Sequence, residues 1–514
     1  MSKKLIKTSA IIFILTLFVK VAGFLREIAV GYYAGTSIIA DAYNISNVIP
    51  HFFLVAITQI VTISFIPLFL SIETDEGNFE SNKFVNNCLF IALIITSIFS
   101  VCIFLFPNLL TTFFASGVSE ETKEVSSQLL KICCWSVIFQ SFTIIFSSFL
   151  NAKKRFVPPI LCGLFLDGAT ILFFFLFSKT QETYLIGFIQ LISSLLQAIF
   201  LIAWAFGSGF RFRISKKLFN QNIKKMLYIS IPAIISVGVY EINVLVDKNF
   251  GSHFSTGAIS SLSYAQTVNN LFYTLIVNSI ILVAYTSFSD SIAKKQNDEA
   301  TKLLVSSVKT ILIITVPLSI IVSLNAKDII TFLFMRGKFD AESVRLTYKN
   351  LICYSVGLPF LCLSFLAVRF LYANKNHYPA IVISSIGLVI NICCNFLSYY
   401  LTELGTSGIA AATTISSLIQ TFLLYLYIFK KYSVSFGKKD CFQVFLPFIS
   451  LIILVPVNLG VALLFKNIQN LFIKLSLRML AILITYLIVL LVFNPNIFVK
   501  IKDSITGKIL KKKD

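Results

Sequence analysis

The sequence predicts an all-α, polytopic membrane protein with about fourteen transmembrane helices. Three observations predict it. Of 514 residues 57% are hydrophobic and only 13% charged, with a mean hydropathy of +0.87. Apolar runs recur along the whole chain at about 20 residues or more, the length a helix rising about 1.5 Å per residue needs to cross a bilayer. Lys and Arg gather in alternate connections, the bias that orients membrane helices.

The spans are expected at about 8–33, 40–70, 84–107, 127–150, 157–178, 183–206, 226–248, 258–289, 303–325, 346–372, 379–402, 406–429, 441–465 and 470–496, numbered here 1 to 14. Connections are short, and no segment is long or polar enough for a soluble domain. Lys3, Lys4 and Lys7 before an apolar core resemble a signal peptide. Lys20 interrupts that core and no A-x-A site follows, so an uncleaved first span is expected. Span 7 repeats the pattern of span 1: charge deep in an apolar run (Glu241, Asp247, Lys248), a short glycine-containing turn, GSHFSTGA, then a long span. Six spans plus six therefore suggest a parallel repeat, 1–225 and 226–435, with two extra spans at 436–496 and a basic tail at 497–514.

One set of connections carries Lys153, Lys154 and Arg155; Arg211, Arg213, Lys216, Lys217, Lys224 and Lys225; Lys294 and Lys295; Lys430, Lys431, Lys438 and Lys439; and Lys508, Lys511, Lys512 and Lys513. The other set is nearly neutral or acidic, as at Glu120, Glu121, Lys123 and Glu124. Both termini are thus expected in the cytoplasm. Two connections depart: SIETDEGNFESNK is acidic on the basic side, and 327–345 carries both signs on the other. The net charge of +20 is distributed as a membrane-facing charge is, against anionic headgroups, and does not point to nucleic acid. The ten Cys lie in or beside apolar runs without CxxC or Cys/His spacing, and read as small packing residues.

Span 1 holds the candidate site. Lys20 sits near its middle and Arg26 about 9 Å further along by the helical rise. Lys20, Gly23 and Glu27 share a face, with Arg26 about 100° round from Glu27. A charge at that depth costs several kcal/mol unless it is paired or faces a wet cavity, so such residues mark a substrate path or fix helix packing. Asp41 opens span 2, as part of that path or as a helix cap. Arg369, near the end of span 10, either meets substrate or snorkels to the interface. Asn391 and Asn395, four apart in span 11, read as interhelical glue or as ligands. Pro232 and Pro359 are hinges or tolerated kinks. No Walker A sequence, no strand-borne GxGxxG and no GxSxG occurs, and His51, His253 and His377 lie in unrelated places. Neither an ATP-driven pump nor a metal or His-based catalytic set follows, so the chain is read as a transporter and not an enzyme.

The runs KVAGFLREIAVGYYAGTSIIADAYNIS, FMRGKFDAESV, YSVGLP and RFLYANKNHYP resemble the MviN/MurJ family of lipid II flippases, within the multidrug/oligosaccharidyl-lipid/polysaccharide exporter superfamily. The resemblance spans nearly the whole chain, including two C-terminal spans that twelve-span drug exporters lack. It implies two six-helix lobes around a central cationic cavity, with spans 13 and 14 forming a groove for a polyprenyl tail. It implies substrate contacts at Lys20 (Lys where Arg is usual), Arg26 and Asp41, to which their place in the apolar spans adds Glu27 and Arg369 as candidates. Basic residues usual near Leu54 and at Thr267 are absent here. It further implies a cation site of Asp247 with Asn391 and Asn395; the alternative is that Asp247 pairs with Lys248 while the two Asn hold helices together.

The expected function is translocation of lipid II across the bacterial cytoplasmic membrane by alternating access. The alternative is another polyprenyl-diphosphate glycan: a teichoic, capsular, exopolysaccharide or O-antigen unit. A drug exporter would prefer an acidic cavity, and an outer-face glycan polymerase a large catalytic loop. No cofactor is expected; the drive would come from sodium, protons or the membrane potential. Expected partners are the lipid-linked glycan, anionic lipid and cell-wall synthesis proteins. On this topology, reporter fusions placed after Lys439 and at Asp514 both score cytoplasmic, and an external signal from either overturns the span count.

Overall fold

The computed structural model describes residues 3–177, 184–213, 218–434, 437–465, 468 and 470–493. Lys216, Lys217 and the basic tail lie outside them. The described regular structure is helical throughout, and each of the fourteen stretches above falls on a helix or a helix pair. Ten described helices are long and apolar enough to cross a membrane, or eleven with the pair Glu120–Cys133 and Ser136–Ala152, bent by 50°, taken as one. The other three expected spans are the helices Lys3–Ala34 and Gln221–Ser252, which carry charge in mid-run, and the stretch 258–293, interrupted by a π-helical turn at Tyr273–Val277.

Span 2 has a π-helical turn as well, at Val61–Phe65 between Ile38–Ile60 and Ile66–Asp75. Here the sequence supplies a cause. Pro67 has no amide hydrogen, so it cannot bond back one turn to Ile63, and the preceding turn widens.

The chain forms two compact units. The first comprises Met1–Thr267, Phe334–Leu346 and Ser384–Ile409; the second comprises Val268–Leu333, Thr347–Ile383 and Ala410–Asp514. In the first unit span 1 packs on span 5, span 6 on span 4, and span 7 on span 2. Its core is aromatic, with Phe65, Phe69, Phe84, Phe146, Phe149 and Phe210 buried. Large apolar side chains also stand exposed, among them Phe13, Ile14 and Phe18 of span 1. Where lipid is the solvent that pattern carries no penalty, and helices are held by close packing and polar contacts. One such contact joins Ser64 and Ser230 at 2.6 Å, linking spans 2 and 7.

Three backbone turns of this unit interlock. Lys338 N–H donates to Tyr32 O at 2.8 Å, and the Tyr264 hydroxyl donates to Gly35 O at 3.0 Å. Gly35 (φ +58°) and Gly257 (φ +86°) both lie in the left-handed region that L side chains rarely adopt. A Cβ on Gly35 would lie 2.4 Å from Lys338 O, and one on Gly257 2.3 Å from Thr36 O. Only glycine lets these backbones meet. Tyr264, Phe334 and Phe339 fill the space beneath, with ring centroids 5.2–5.4 Å apart.

In the second unit, side-chain hydroxyls bond backbone carbonyls of neighbouring helices: Thr414 to Cys353 O and Thr421 to Phe360 O, both at 2.7 Å. Two ion pairs tie the C-terminal spans down. Lys309 meets Asp440 at the start of span 13, and Arg478 of span 14 meets Asp328 of the short helix Ala326–Phe334, each at 2.6 Å. Both pairs are only partly buried, so they hold these helices in register more than they add net stability.

Candidate functional site

Span 1 runs unbroken through its charged residues as the helix Lys3–Ala34. Arg26 is held from two sides. Its Nη2 bonds Glu27 Oε1 at 2.8 Å and its Nη1 bonds Asp167 Oδ1 of span 5 at 3.1 Å. The side chains of Arg26, Glu27 and Asp167 retain 23%, 18% and 8% exposure. One guanidinium thus faces two carboxylates, and the cluster is formally anionic. Asp167 went unnoticed in the sequence, although an ionisable residue in the apolar run GLFLDGATILFFF is the same signal that marked Lys20. Lys20 itself is exposed and makes no ion pair among the described residues.

Arg26 and Glu27 line a cavity of about 320 Å³. Span 2 contributes Tyr43, Asn44, Asn47 and His51, and span 4 contributes Gln140. Thr170, Gln190, Ser194 and Gln197 come from spans 5 and 6, and Lys248 from span 7. Hydroxyls and amides therefore cover much of a wall built from otherwise apolar helices. Gln190 and Gln197 lie seven apart, which sets them on one helical face; that spacing was readable in the sequence. His51 Nε2 stands 4.0 Å from Glu241 Oε1, so the charge deep in span 7 reaches the same region.

Asp41 lies elsewhere. It is 4% exposed, and its two oxygens accept from Gly257 N–H at 2.7 Å and Ser260 N–H at 2.8 Å. Those amides open the helix Ala258–Phe272, so the carboxylate satisfies orphan donors at a positive helix end. It does cap a helix, but span 8 and not its own.

Asp247 and Lys248 point apart, as neighbours about 100° round a helix must. Asp247 is buried and accepts from Asn395 Nδ2 at 2.8 Å, and that same amide nitrogen donates to Asn391 Oδ1 at 3.0 Å. The three residues expected to form a cation site are thus in contact. Asn395 Oδ1 is buried without a hydrogen-bond partner. Arg369 belongs to the second unit, exposed with its guanidinium 5.7 Å from the Tyr285 ring centroid.

A helical membrane protein whose charged and amide side chains enclose a cavity among apolar spans is built as a transporter for a polar or amphiphilic cargo. The family model for the lipid II flippase MurJ matches residues 30–485, and the chain belongs to that family. The probable lipid II flippase MurJ of Buchnera aphidicola (subsp. Schizaphis graminum) is 27% identical over 86% of each chain. That of Treponema pallidum is 23% identical, over 84% of this chain and 83% of its own. Among solved structures, a lipid II flippase MurJ in an inward closed conformation superposes with a TM-score of 0.80 at 24% identity, covering 95% of this chain and all of the other. An inward-facing multidrug MATE transporter gives 0.70 at 11% identity over 82% of this chain and 98% of its own, which shows a shared fold.

The Arg26–Asp167 pair bridges spans 1 and 5, so the two residues must be energetically coupled. Arg26→Gln is expected to lower thermal stability in detergent, and adding Asp167→Asn to restore part of it. A coupling of about 0.5–3 kcal/mol is the range for residues in one such network. Strictly additive effects would show that the pair does not form.

Proposed function

We propose that this chain carries lipid II from the inner to the outer leaflet of the bacterial cytoplasmic membrane by alternating access. The observation that carries the reading is the charged, amide-lined cavity enclosed by apolar helices in a chain of this family. Family membership favours lipid II over other polyprenyl-diphosphate glycans and sets aside the drug-exporter and polymerase readings. In this reading both termini are cytoplasmic. Residues 1–225 and 226–435 act as two six-helix lobes, and spans 13 and 14 within 436–496 guide the polyprenyl tail. Arg26 and Glu27 meet the headgroup in the cavity, and Lys20 and Arg369 meet it elsewhere on its path. Asp41 acts by holding the turn before span 8, not by touching substrate. A diphosphate leaving an inside-negative cell gains about 2.3 kcal/mol per charge per 100 mV, so the membrane potential can contribute to the drive.

The decisive test is rescue of a strain depleted of its lipid II flippase. The chain is expected to restore growth and lipid II turnover. Failure of a well-expressed, correctly inserted protein would move the assignment to another lipid-linked glycan.

We further propose that Asp247, Asn391 and Asn395 bind a monovalent cation that couples to this cycle. Hard cations take oxygen ligands, and Asp247 Oδ1 and Asn391 Oδ1 converge on the Asn395 amide group. Rotating that amide by half a turn would bring its unpartnered oxygen to the same point. The wild type is expected to be more thermally stable in sodium than in choline, and Asp247→Ala to lose the difference. A wild type indifferent to sodium removes the site.

A further inference from the structure

Two basic side chains, Arg26 and Lys248, line the cavity of the first unit, and they differ in how directly carboxylates hold them. Arg26 has committed three of its nitrogens: Nε and Nη2 to Glu27, and Nη1 to Asp167. Its cluster is formally negative and repels a phosphate until those bonds rearrange. Lys248 is half-buried in the same wall and has no carboxylate within ion-pair distance among the described residues. Asp247, its neighbour in sequence, faces Asn395 instead.

An ammonium held among apolar helices outside any direct ion pair, with Glu27, Asp41 and Glu241 acting on it only at longer range, is costly and persists only where water or an anion reaches it. The cavity provides that access. In the same cavity, Gln190 and Gln197 make no side-chain hydrogen bond among the described residues, so their amides are free to bind. An incoming anion therefore finds one cation outside any direct ion pair, neutral donors elsewhere in the same enclosure, and a guanidinium already bonded to two carboxylates. A compact ammonium suits a diphosphate as a point charge and needs no forked geometry.

We propose that Lys248 is the primary electrostatic anchor for the diphosphate of the lipid-linked substrate, with Arg26 principally organising the wall through Glu27 and Asp167. The inference rests on the lipid II reading and adds a residue that the sequence treated only as a neighbour of Asp247. Lys248 sets where along the cavity the diphosphate stops, and the uncommitted glutamines lie within the same enclosure to meet the sugar or peptide that follows it.

The test is binding of lipid II to the purified full-length protein in nanodiscs of zwitterionic lipid. Wild type, Lys248→Met, Lys248→Gln and Lys248→Arg are compared, each first shown to be monodisperse with a wild-type thermal transition. Lys248→Met and Lys248→Gln are expected to bind about tenfold more weakly or worse, as befits a lost charge-assisted contact. Lys248→Arg is expected to stay within about threefold of wild type. Inorganic pyrophosphate should compete on the wild type and lose that effect on Lys248→Met, while phosphatidylglycerol should compete on neither. A merely structural lysine would not move the pyrophosphate competition. Lysine variants that bind lipid II like the wild type overturn the inference and leave the lipid II reading standing. Phosphatidylglycerol competing as well as pyrophosphate also overturns it, since the site would then read any anionic headgroup. A wild type that binds no lipid II refutes the functional reading itself, and the inference with it.

Discussion

Arg26, Glu27 and Asp167 are the interaction on which the first unit depends. Each lies in an apolar run, and in lipid none could stand alone without a cost of several kcal/mol. Joined, they bring span 1 against span 5, and Arg26 and Glu27 turn their remaining polar surface to a cavity. The space those groups face is lined besides by amides, hydroxyls, His51 and Lys248. The charge that makes the sequence unusual thus creates the chamber.

Span 1 also links the cavity to the interlocked turns. Arg26 and Gly35 are nine residues apart, about 14 Å along one helix by the helical rise. At the Gly35 end, backbone meets backbone without intervening side chains, and Asp41 fastens the turn before span 8 to the start of span 2. One unbroken helix thus carries the Arg26 network and ends at the Gly35 turn. At that end the backbone hydrogen bonds lie over the buried, packed rings of Tyr264, Phe334 and Phe339.

The fold was legible because hydropathy and length carry it. Each of the fourteen apolar stretches became helical, and the widened turn before Pro67 follows from a residue in plain view. The bend at Cys134–Trp135 left no comparable signal. In the site, individual charged residues were readable and their partners were not. Arg26 and Asp167 are 141 residues apart, and Asp41 and Gly257 216 apart. Helical periodicity says which residues share a face but not which helix that face meets. Asp247 and Lys248 show the limit: adjacency suggested a pair, and the helix turned one to Asn395 and the other to the cavity.

An experimental structure of the full-length protein with lipid II in nanodiscs would show whether the diphosphate is held inside the chamber of the first unit. The diphosphate is expected within hydrogen-bond distance of Lys248 Nζ, with the Arg26–Asp167 contact kept or exchanged for a phosphate oxygen. A diphosphate seated away from this chamber, with Lys248 and Arg26 both untouched, would contradict that placement.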